Sequence, residues 1–164
     1  RGAARQDPGG LKRFLHATGQ RIGGCLAGNW LDVDLDNGRL FVDHTVIRVK
    51  GHGLPRKGTK TACGERTLLL PSWAVADLRG RHAVGVRLDS PVFPDTSGGP
   101  RDPSNTRRRL RKALDRAGFK WVTSHNFRKT TATLLDRCWT VGSAHRGPAR
   151  ARATVVDAVR VQWP

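Results

Sequence analysis

The segment His125-Asn126-Phe127-Arg128-Lys129-Thr130 carries the clearest chemical signal in the chain. Residues three apart on a helix project together, so His125 and Arg128 share a face. They stand close to a helix start, where free N–H groups and the positive end of the helix dipole favour an anion. A histidine exchanges a proton near neutral pH, and an arginine can bind two phosphate oxygens at once. Side by side they suit phosphoryl transfer, although a lone His-x-x-Arg pair is more often a solvated helix face or an N-terminal cap. Two more basic residues stand where the chain turns. Arg21 follows a helix break at Gly19, and Lys60 lies in Thr59-Lys60-Thr61 between two strand-forming runs. No metal or cofactor is implied. His16, His44, His52 and His82 share no spacing, and Cys25, Cys63 and Cys138 lie far apart without a CxxC pair. Asp32, Asp34 and Asp36 imitate the opening of a calcium loop. Asn37 stands where such a loop needs glycine, however, and Asp43 where it needs glutamate, so a turn leading into a strand is the better account.

These residues must be positioned by a mainly helical frame. Leu11, Phe14 and Leu15 recur at helical spacing up to Gly19, and a second helix is expected from about Ile22 to Trp30. Asp36-Asn37-Gly38 predicts a turn into a β-rich run from Arg39 to Lys50, broken by the glycines after it. A returning strand runs from Arg66 to Leu70 and stops at Pro71. Together these predict a small antiparallel sheet with Lys60 in its hairpin. Ser72 is expected to cap a helix carrying Trp73, Ala74 and Leu78. After a loop from Pro91 to Pro103, Ser104 or Asn105 is expected to cap a helix with Leu110, Ala113, Leu114 and Ala117 on one face. The opposite face carries Arg107, Arg108, Arg111 and Lys112, which with Lys129 are candidates for backbone contact with DNA. Thr123 or Ser124 begins the last helix, expected from His125 to about Asp136. Trp30, Trp73 and Trp121 are expected in or near the core. The fold class is therefore α+β, mostly helical.

Composition narrows the partner. Thirty Lys+Arg against 13 Asp+Glu leave a net charge of +17 in 164 residues, which internal pairing cannot neutralise. A polyanion is the natural partner. Nucleic acid is favoured over a membrane, because no apolar run approaches the roughly 20 residues of a spanning helix. Three scattered cysteines fit a reduced cytoplasm better than a disulfide framework. The chain opens on Arg1 rather than Met, which reads as a fragment, and one domain is the expectation for this length.

The order of motifs is more informative than any one of them. Ala17-Thr18-Gly19-Gln20-Arg21-Ile22-Gly23, then Thr59-Lys60-Thr61 with Gly64-Glu65-Arg66 and Leu70-Pro71, then Ser124-His125-Asn126-Phe127-Arg128-Lys129-Thr130, resembles the tyrosine recombinases. Phe93-Pro94-Asp95 and Asp102-Pro103-Ser104-Asn105-Thr106 are similar to actinobacterial phage integrases. The resemblance covers about residues 11 to 136. It implies the fold of DNA breaking-rejoining enzymes and site-specific recombination of double-stranded DNA by tetramers, as in phage integration or excision. It implies that Arg21 and Arg128 clamp the scissile phosphate, that Lys60 protonates the leaving 5′-hydroxyl, and that His125 is the general acid/base.

Two positions depart from the family's pattern. Gly24 stands where the family has an acid. The sequence also holds no tyrosine, the family's nucleophile, so strand cleavage by this chain is not expected. A non-enzymatic basic module binding DNA or RNA is the alternative. From Arg137 onward the helical period is lost, which divides the chain into an incomplete catalytic domain, 1–136, and an aberrant tail, 137–164. A frameshift accounts for that tail. Read one nucleotide later, Trp139–Thr140 and Trp163–Pro164 each force a glycine codon. Cys138 to Val156 then permit a string containing the family's Leu-Gly-His, and Val161–Gln162 permit a tyrosine.

Overall fold

The computed structural model describes residues 8–58 and 65–143; of Pro8 and of 135–143 only the backbone is described. Among the described residues five α-helices and five short strands follow one another. Helix α1, Pro8–Thr18, packs its Leu11, Phe14 and Leu15 stripe inward, and α2, Ile22–Ala27, adds Ile22, Cys25 and Leu26. The second helix is thus shorter than its sequence suggests. Gly28 closes it in extended conformation, and a 3-10 turn at Trp30–Asp32 follows. The Asp32 carboxylate accepts the Asn29 N–H at 2.8 Å, stopping the chain from continuing as α-helix.

The strands are β1 (Val33–Asp34), β2 (Arg39–Val42), β3 (His44–Val46), β4 (Arg56–Gly58) and β5 (Arg66–Leu69). The turn between β1 and β2 forms as expected, with the Asp34 carboxylate accepting from the Asn37 N–H (3.0 Å) and Nδ2 (2.8 Å). These donors hold the Asp34 carboxyl below its usual pKa. The run expected to be one strand from Arg39 to Lys50 instead changes partner at Asp43. Val42 is the last residue paired with β5, and His44 the first paired with β4. The strands therefore form two antiparallel sheets, β1-β2-β5 and β3-β4. In β2 Leu40 and Val42 point to the core while Arg39 and Phe41 are exposed, the alternation a half-buried strand requires. Sequence reading missed β4, because Arg56-Lys57-Gly58 has no apolar alternation. It is anchored instead by Arg56, whose guanidinium donates to the Ala27 carbonyl at 2.8 Å and pairs with Asp32 at 2.5 Å.

Helices α3 (Ser72–His82), α4 (Pro103–Arg116) and α5 (Ser124–Ser143) complete the frame. Ser72 is the first helical residue rather than the cap, which is Pro71. The cap of α4 is Asp102, not Ser104 or Asn105. Its carboxylate accepts from both of their N–H groups (2.7 and 3.4 Å), with Pro103 at the first helical position. Trp30 is buried, Trp73 packs at the core margin, and Trp121, expected inside, is exposed on the loop before α5. Helix α5 runs past Asp136 to Ser143, and the only glycine or proline within it is Gly142. Phe14 and Phe93, 5.1 Å apart between ring centroids, link α1 to the loop before α4 in one continuous core. Among the described residues no helix is long and apolar enough to cross a membrane.

Candidate phosphate pocket

Three turns of chain meet at one pocket. The first is the corner between α1 and α2. Gly19 takes φ +57°, and its N–H closes the last turn of α1 on the Leu15 carbonyl at 3.0 Å. A side chain there would also strike Thr131, since a Cβ would stand 3.2 Å from the Thr131 Cβ and Cγ2. Arg21 follows in extended conformation at the cap of α2, its side chain exposed and without a hydrogen bond or ion pair among the described residues.

The second is the start of α5. Asn126 closes it, its Oδ1 accepting from the Thr123 N–H (2.8 Å) and hydroxyl (2.7 Å), while its own N–H donates to the Thr123 carbonyl (3.0 Å). Phe127 and Thr131, four residues apart, turn toward α1. The buried Thr131 hydroxyl lies 2.8 Å from the His16 carbonyl and 2.9 Å from the Phe127 carbonyl. Ser124, His125 and Arg128 are left on the other side, lining the pocket. Arg128 donates to the Gly19 carbonyl at 3.0 Å, tying α5 to the corner that holds Arg21.

The third is β3 with the start of α4. Thr45, Val46, Ile47 and Arg48 line one wall, Pro103, Ser104 and Arg107 another. The cavity measures about 510 Å³ and is lined by Arg21, Arg48, Arg107, Arg128 and His125, with no carboxylate among its lining residues. Such a surface can hold and polarise an anion carrying several oxygens.

Of the residues singled out from sequence, Arg21, His125, Arg128 and Arg107 meet here. Lys60 lies outside the described residues, between β4 and β5. Arg108, Lys112 and Lys129 are exposed on α4 and α5 but do not line the pocket. The Arg111 guanidinium is turned onto the protein itself, donating to the Val122 carbonyl (2.6 Å), the Phe119 carbonyl (2.9 Å) and Asp115 (2.7 Å), and so fixes the loop that delivers α5. Gly24, standing where an acid was expected, leaves room for the buried Gln20 side chain; a Cβ there would come within 2.8 Å of the Gln20 Oε1. Sequence reading missed Thr131 and Arg48. Gly19 was read only as the helix break, not as the corner that Thr131 packs against.

Comparison with known proteins finds relatives in sequence and in fold. The tyrosine recombinase XerC of Xanthomonas axonopodis pv. citri (strain 306) is 31% identical over 127 residues, 76% of this chain and 36% of the relative. Crystallised XerA recombinase superposes with a TM-score of 0.60 at 22% identity, covering 96% of this chain and 56% of that one. In sequence and in fold the chain is similar to tyrosine recombinases. The Tn1549 transposon integrase, solved with a circular intermediate DNA, shares the fold at a TM-score of 0.60 and 19% identity, over 91% of this chain and 49% of that one. In complex with transposon right end DNA the same integrase gives 0.58 at 18% identity. No family model matches the sequence. The chain spans about a third of the curated relative and about half of the solved structures. The α+β fold, mostly helical with small antiparallel sheets, is the one these recombinase structures share.

Proposed function

We propose that this chain carries the catalytic part of a site-specific DNA recombinase of the phage-integrase type, acting on double-stranded DNA. One observation carries the reading: Arg21, His125 and Arg128, remote in sequence, line a single open pocket with further arginines and no carboxylate. Arg21 and Arg128 hold the non-bridging oxygens of a phosphodiester and stabilise the charge that grows there in the pentacoordinate transition state. His125, exposed at the pocket mouth, exchanges a proton with the attacking or leaving oxygen. Lys60, which follows β4 by two residues, protonates the departing 5′-hydroxyl. Arg107, Arg108, Lys112 and Lys129 hold the flanking backbone, and tetrameric assembly on DNA belongs to the same proposal.

Binding of a labelled duplex across a salt series tests the reading. The slope of log affinity against log salt changes by about 0.9 for each phosphate contact. Arg21→Gln is expected to remove one such step. An affinity indifferent to salt, or an Arg21→Gln slope equal to the parent's, refutes the pocket as a phosphate site. The basic-module alternative is favoured by the lack of any tyrosine in these 164 residues. It expects Arg108→Gln to weaken binding as much as Arg21→Gln.

We also propose that the sequence from Arg137 is a frameshifted reading of the family's own carboxyl terminus. The codon constraints at Trp139–Thr140 and Val161–Gln162 support it. Gene sequencing decides: a stop codon in the shifted frame before Trp163, or no tyrosine codon near Val161, refutes it.

A further inference from the structure

The hairpin joining β3 to β4 stands beside the pocket. It closes through the Ile47 N–H to the Pro55 carbonyl (3.3 Å), the Val49 N–H to the Gly53 carbonyl (3.0 Å) and the His52 N–H to the Val49 carbonyl (3.1 Å). Gly51 and Gly53, at φ +80° and +73°, bend its tip without side chains, and Lys50 and His52 beside them are exposed. Arg48, at the root, belongs to two surfaces at once. It lines the phosphate pocket and also the shallow groove formed with Val49, Lys50, Gly51 and Gly53. Arg48 pairs with Asp102, the cap of α4, which fixes the hairpin against that helix. Even so, 66% of the Arg48 side chain remains exposed. No acidic residue occurs from His44 to Gly58.

Four guanidinium groups exceed what one phosphodiester can use, because two bidentate arginines already occupy its two non-bridging oxygens. Of the two to spare, Arg107 lies on α4 and Arg48 stands at the root of the hairpin. We infer that the β3–β4 hairpin is a second DNA contact, in which Arg48 and Lys50 each hold a backbone phosphate of the strand leaving the pocket. The inference rests on the DNA reading above. The ion pair with Asp102 orients Arg48 before DNA arrives, while its exposed guanidinium edge meets the phosphate.

Anisotropy of a labelled duplex over a salt series tests it. Arg48→Gln and Lys50→Gln are each expected to lower the log–log slope by about 0.9, and the double variant by about twice that. Arg48→Lys and Lys50→Arg restore the parent slope. Arg79→Gln, on α3 and outside the pocket lining, leaves it unchanged. Lys50 is exposed and makes no described side-chain contact, so Lys50→Gln reads the contact without disturbing the fold. A parental slope in folded Lys50→Gln and in the double variant overturns the hairpin contact, while a reduced slope in Arg21→Gln keeps the pocket reading intact. A parent chain whose affinity ignores salt overturns both.

Discussion

Arg21 and Arg128 line the same pocket, yet the fold depends on them unequally. Arg21 reaches solvent with no described partner, whereas Arg128 is hydrogen-bonded to the buried Gly19 carbonyl. Arg128→Gln is therefore expected to weaken DNA binding and also lower stability by about 1–3 kcal/mol, the cost of stranding a buried acceptor. Arg21→Gln should weaken binding with an unchanged melting temperature. Thermal melts beside the salt series separate the two. Cys25 behaves differently again. Burial pushes its thiol up to about 12, against smaller opposing effects of the Thr18 hydrogen bond and Arg66. A raised folded value means that the neutral thiol stabilises the native state. That contribution is complete below the unfolded value of about 8.5 and is lost as pH rises from there toward 12. Cys25→Ala should flatten the alkaline limb of the stability profile. In the native chain, peptide mapping after iodoacetamide at pH 8 should find Cys25 unlabelled.

At the level of elements, α4 hangs on one residue. Burial alone would raise the Asp102 carboxyl, but the Ser104 and Asn105 amides and the Arg48 charge outweigh it and hold it below the usual range. Its contribution is thus present above the unfolded carboxylate value of about 3.9 and disappears as pH falls through the lower folded one. Asp102→Ala should cost about 0.5–2 kcal/mol. Asp102→Asn should keep the cap while removing part of the acid dependence, both read from chemical denaturation at several pH values. The helices were legible because their apolar spacing is local, as with Leu11, Phe14 and Leu15 or the α5 start at Ser124. The caps were not, because Asp102 and Pro71 lie one or two residues outside the pattern they terminate. Strand β4 was invisible for a related reason: what holds it is the remote Arg56 contact with Ala27 and Asp32, which no local period records. Arg21, His125 and Arg128 were readable from residue type and order. Arg48 was not, since only the α4 cap across the pocket gives it a place.

For the molecule as a whole, the chemistry of the nucleophile sets the expectation. A phosphotyrosyl link needs a tyrosine, and these 164 residues have none. Nicked duplexes incubated with this chain alone should therefore yield no covalent adduct on denaturing gels, while a tyrosine-bearing relative added in trans could form one. Helix α5 adds a constraint of distance. From His125 to Ser143 it rises about 1.5 Å per residue, so its far end is roughly 27 Å from the pocket. An extended chain covers at most about 3.3–3.6 Å per residue. Any nucleophile attached after Ser143 thus needs a tether of at least about eight residues to return to the histidine of its own chain. A shorter tether leaves only a neighbouring copy's pocket within reach, so the length of one helix helps decide whether cleavage is a private or a shared act.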